Sequence, residues 1–137
     1  MGTSRALPGA GLPAGYRVVF ALAGAYNLAF AAWAVVSPLT LFGLASLEPP
    51  LPSPLLEATA VGVALFGFAY AYAALRPDRA RPIIILGLLA KIFPPAAWLV
   101  FVGPRAWPMI LANDVAWWLP FALYLRRTRP RQNQPRH

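Results

Sequence analysis

Lys91 sits near the middle of an apolar run from Pro82 to Val102 that is about as long as a bilayer-crossing helix, and a Pro94-Pro95 pair follows one turn later. An unpaired charge at that depth costs at least about 2.5 kcal/mol on insertion scales, so the run needs a counter-charge. The last apolar segment offers one in Asn113-Asp114, followed by Trp117-Trp118. With these two segments antiparallel, Lys91 lies about eight residues from one end of its helix. Asp114 lies about seven from the opposite end of its own, which at about 1.5 Å per residue leaves their levels several ångströms apart. A lysine stem covers that gap, and a Lys91–Asp114 pair facing the bundle interior is the expected arrangement. Asn113, Asn27 from the first apolar run and Glu57 from the second could extend it into a polar network. The prolines add a second feature. Pro94 and Pro95 lack the N–H groups that would bond the carbonyls of Ala90 and Lys91, and Pro120 does the same for Ala116, so free carbonyls are expected beside the carboxylate.

Three roles are open to these residues: an ion pair that fixes helix register, a site for a ligand, ion or proton, or a lysine that snorkels without a partner. Trp98, Trp117 and Trp118 near the same level read as packing bulk, with an aromatic-lined pocket for a lipid-like or quinone-like molecule as the alternative. No nucleophile–base pair stands out, which argues against an enzyme. There is no Cys, and the only His is the terminal His137. Disulfides, thiolate chemistry and an ordinary haem, iron–sulfur or zinc site built from this chain alone are therefore excluded, and no cofactor or metal is expected.

The elements that must position this site are membrane helices. Hydrophobic residues make up 59% of the chain and charged residues 12%, outside the range of soluble domains. The net charge of +8 comes from basic residues that, Lys91 apart, lie between or beyond the apolar runs. They read as topology signals facing anionic lipid headgroups, and nucleic acid is not an expected partner. Residues 1–15 form an irregular arm. A single all-α domain is predicted over 16–127, an antiparallel four-helix transmembrane bundle with spans at about 17–36, 55–75, 83–102 and 107–125. Residues 128–137 form a basic disordered tail. Between the first two spans, the stretch from Thr40 suits a short interfacial helix, and the proline-rich part after Glu48 an extended connector.

Two faces are marked by small residues. In the first span Ala23, Asn27, Ala31 and Ala34 recur at helical spacing, and Asn27 reads mainly as an interhelical hydrogen-bond partner. In the second, Glu57, Ala60, Ala64, Gly67, Ala71 and Ala74 form one stripe, which places Glu57 toward protein rather than lipid. The competing reading leaves that carboxylate at the helix start, wetted by headgroup water. If the turn at 76–81 is cytoplasmic, Arg5, Arg17, Arg76, Arg79, Arg81 and the tail arginines all lie inside and only Arg105 lies outside. Both termini are then cytoplasmic, with Trp107 at the outer interface and Tyr124 at the inner one.

Gly-Leu-Leu-Ala-Lys91, followed by Asn113-Asp114-Val-Ala-Trp117-Trp118-Leu-Pro-Phe121 and a basic tail, resembles a group of small bacterial four-span membrane proteins and is broadly similar to the DoxX-like superfamily. The likeness covers about residues 16–127. It implies the four-helix fold and a multi-pass protein of a bacterial inner membrane. The residues themselves, rather than the resemblance, carry two functional expectations. One is an accessory or scaffold subunit that joins a membrane assembly or itself through small-residue faces. The other is a small transporter or lipid- or quinone-binding protein that uses the intramembrane Lys–Asp site.

Overall fold

The computed structural model describes residues 14–44, 53–101 and 103–129, and every element among them is helical. The arm over 1–13, the connector over 45–52 and the tail from 130 lie outside the described residues. Helix α1 spans Gly15–Val36, α2 Pro38–Leu44 and α3 Ser53–Leu75. The third apolar run is divided into α4, Arg81–Ala90, and α5, Phe93–Phe101. The fourth is a 3-10 turn at Gly103–Ala106, then α6 at Trp107–Ile110, a π-helical turn at Leu111–Val115, and α7 at Ala116–Arg127. Three helical stretches, Gly15–Val36, Glu57–Leu75 and Arg81–Val100, are long and apolar enough to cross a membrane.

Small residues dictate the tightest pairing. A side-chain carbon on Gly24 would stand 2.9 Å from the Gly67 carbonyl oxygen and 3.1 Å from the Ala71 amide nitrogen, so α1 and α3 meet backbone to backbone. Farther along the same interface Ala31 and Ala34 pack with Ala60. Of the predicted small face on α1, Ala23, Asn27, Ala31 and Ala34 are all buried.

Where small residues join α1 to α3, aromatic rings close the end of the molecule at the 76–80 turn. Tyr16 and Phe20 of α1, Tyr70 of α3, Ile84 of α4 and Phe121 and Tyr124 of α7 form one buried cluster. Phe20 and Tyr124 meet edge to face at 5.0 Å between centroids, and Tyr70 meets Phe121 likewise at 5.1 Å. The Tyr124 hydroxyl donates to the Pro77 carbonyl at 2.6 Å, which ties the turn to α7. Tyr124 is thus a core residue with its polar tip satisfied internally, not the interfacial ring expected from its place near the end of an apolar run. Trp107 is exposed.

A polar cavity at two facing helix breaks

Lys91 stands between α4 and α5, where the helix is interrupted for two residues just ahead of Pro94 and Pro95. The prolines occupy the first turn of α5, where missing N–H groups cost least, so the break falls before them. Opposite, Asn113 and Asp114 lie in the π-helical turn between α6 and α7. Such turns widen a helix locally and re-aim side chains, and they recur at functional sites. Both partners therefore project from irregular backbone, while Asn27 projects from the regular helix α1.

The lysine ammonium lies 3.4 Å from Asp114 Oδ1. It donates to the Asn113 carbonyl at 2.9 Å and to Asn27 Oδ1 at 3.4 Å. Its three N–H donors thus have three acceptors, one from α1 and two from the π-helical turn. Asn113 Nδ2 donates to Asp114 Oδ1 at 3.0 Å, which fixes the orientation of that amide. Asn27, Lys91 and Asp114 are 2%, 6% and 7% exposed, so the charges are held inside the fold and compensate one another.

The carbonyl of Lys91, which Pro95 deprives of its helical donor, accepts a hydrogen bond from Trp118 Nε1 at 2.9 Å. This corrects the expectation of a free carbonyl, and Trp118 does more than fill space. Pro120 lies inside α7, away from the cavity lining. Glu57 is exposed and does not join the network. The packing of Gly24 on Gly67 and of Ala34 near Ala60 sets the α1–α3 register, and in that register Glu57 lies level with the last turn of α1. Ala34, the last small residue on the buried face of α1, is already taken up by Ala60, so Glu57 stays exposed.

Beside the ion pair opens a cavity of about 340 Å³. Asn27, Lys91, Asn113 and Asp114 supply its polar wall, and Phe30, Val63, Phe66, Pro95, Trp98 and Ile110 its apolar one. Tyr70 and Thr59, neither singled out by sequence, also line it. The Tyr70 hydroxyl and Asn113 Oδ1 are buried without a hydrogen-bond partner. Tyr70 packs directly against Gly87, where any side chain would collide with the ring. That pairing had a signal, since Gly87 stands four residues before Lys91 in an otherwise bulky helix. Trp117 packs on Tyr26 and Phe121 as aromatic bulk. Among the described residues no group of three or more His, Cys, Asp or Glu is placed to hold a metal. No protein-family model, curated protein or solved structure matches this chain.

Proposed function

We propose that this chain is a four-span, multi-pass protein of a bacterial inner membrane, DoxX-like in organisation, that binds a small amphiphile in the cavity beside Lys91 and Asp114. The helical run from Trp107 to Arg127 supports a fourth span, and the arginine distribution supports cytoplasmic termini under the positive-inside rule. The observation that carries the binding reading is the cavity itself. It joins a charge-compensated polar wall to aromatic and aliphatic side chains, and its volume falls at the lower end of the roughly 300–1,000 Å³ typical of ligand sites. A molecule with a compact polar head and an apolar body, lipid-like or quinone-like, fits that division.

A second reading has one observation in its favour. All three ammonium donors of Lys91 are already engaged by protein, which suits an ion pair that sets helix register in an accessory or scaffold subunit. Native mass spectrometry of protein extracted in mild detergent separates the two. A bound small molecule that disappears in Gly62→Leu supports the binding reading, because Gly62 lines the cavity and a side-chain carbon added there would meet nothing within 4 Å. A ligand-free protein recovered in fixed ratio with another membrane protein supports the subunit reading instead.

A further inference from the structure

A second depression, about 480 Å³, lies at the aromatic end of the bundle, away from the Lys91 cavity, between the start of α4 and the end of α7. Its walls are Arg81, Arg126 and Arg129, and its floor is Leu88, Ala122 and Leu125. No carboxylate lines it among the described residues. Asp78, on the neighbouring turn, lies 3.8 Å from Arg79. Three guanidinium groups therefore surround an apolar floor, and among the described residues no acid in the lining neutralises them.

Arg81 is held in place rather than free to swing. Its Nη1 donates to the Leu125 carbonyl at 2.8 Å and to Thr128 Oγ1 at 3.1 Å, and Thr128 Oγ1 in turn donates to the Tyr124 carbonyl at 2.9 Å. Anchoring one nitrogen this way leaves the Nε/Nη2 edge of the fork for an oxyanion, the geometry by which arginine grips phosphate with two parallel N–H bonds. Arg127, between the other two tail arginines, turns away and lies 5.8 Å over the ring of Tyr16. The end of α7 thus sorts its arginines between a packing role and the groove.

We infer that this groove is a binding site for an anionic phospholipid, with Arg81, Arg126 and Arg129 on the phosphate and Leu88, Ala122 and Leu125 against the upper acyl chain. The floor is what distinguishes a lipid phosphate from a soluble one. A free phosphate would use the arginines alone, whereas a phospholipid also covers the apolar surface between the helices.

The site is tested on full-length protein in detergent, by native mass spectrometry titrations with dioleoylphosphatidylglycerol and dioleoylphosphatidylcholine, with inorganic phosphate as competitor. Phosphatidylglycerol is expected to bind about tenfold more tightly than phosphatidylcholine, and R126Q/R129Q to remove most of that preference, given roughly tenfold per one to two basic side chains near a membrane surface. R76Q/R79Q deletes the same charge from the exposed turn at the same end and is expected to leave the preference intact. R81K keeps the charge but loses the fork, and is expected to weaken phosphatidylglycerol binding while the melting temperature shows the bundle still folded. Equal losses in the two double variants, or no preference for phosphatidylglycerol in the parent, would overturn the inference. So would displacement of the lipid by an equimolar amount of inorganic phosphate.

Discussion

The two halves of this bundle solve the same packing problem in opposite ways. At the end closed by the 76–80 turn, Tyr16, Phe20, Phe121 and Tyr124 interlock as rings, and the polar tip of Tyr124 is tied to Pro77. In the other half, α1 and α3 are drawn together by Ala31, Ala34 and Ala60 while the two opposing helical runs break, at residues 91–92 and in the turn Leu111–Val115. Bulk on regular helices leaves no room. Irregular backbone beside small residues leaves a cavity and aims a lysine and an aspartate into it. The packed aromatic end thus holds the helices together, and the broken half can keep space and charge in one place.

Removing a charge from the broken half should have the largest effect. Lys91→Met leaves the Asp114 carboxylate buried without its cation and is expected to cost about 3–5 kcal/mol, whereas K91M/D114L should recover most or all of that loss. Reversible unfolding in mixed micelles measures both. A double variant as unstable as the single one would mean that the pair is not the dominant local interaction. Next comes the closed end. Phe121→Ala removes a fully buried ring that touches Phe20, Tyr70 and Trp117 and should cost about 3 kcal/mol, with no double substitution of neighbours able to restore it. That contrast separates a balance of opposite charges from simple packing.

Two glycines on the α1–α3 pair differ in what surrounds them. Gly24→Ala puts a carbon against the backbone of α3 and should destabilise by about 1–3 kcal/mol, since neither backbone can yield without parting the helices. Gly62→Ala, facing the cavity, meets nothing within 4 Å and should stabilise by up to about 1 kcal/mol through helix propensity alone. Outcomes of opposite sign from the same chemical change would locate the empty volume by thermodynamics. If Gly62→Ala were as costly as Gly24→Ala, the cavity would be closed in solution.

What sequence made legible follows the same division. Lys91 and Asp114 were readable because a charge in an apolar run is expensive and has few remedies, and the α1 face was readable because Ala23, Asn27, Ala31 and Ala34 repeat at helical spacing. A break in the third run was readable from Pro94 and Pro95, and it falls at residues 91–92, just ahead of them. The one in the fourth run was not, because Pro120 lies inside α7 and nothing in a run of apolar letters marks where a π-turn will absorb an extra residue. Glu57 was left between two readings, and its exposure fits the one at the helix start: a stripe on one helix tells which face is small, but not where the partner helix ends. Tyr70 and Trp118 escaped because aromatic residues in a membrane segment look alike until their polar atoms are placed, one buried without a partner and the other on the Lys91 carbonyl.

The smallest expected effect compares one hydrogen bond from each half. Tyr124→Phe deletes the bond to the Pro77 carbonyl, which is enclosed by the aromatic cluster, and should cost about 1–2 kcal/mol because the stranded carbonyl finds no substitute. Trp118→Phe deletes the bond to the Lys91 carbonyl at 2.9 Å, but Lys91 lines a cavity that can admit water, so a replacement donor is at hand and the loss should stay below about 1 kcal/mol. Trp118 is itself partly exposed, which keeps the packing contribution of its larger ring small. Unfolding free energies of the two variants, paired with amide hydrogen exchange at the 76–80 turn and at the 91–92 break, read the difference directly. Should Trp118→Phe prove the costlier substitution, the carbonyl at the break is sealed from water, and the cavity is then drier and narrower than its polar wall implies.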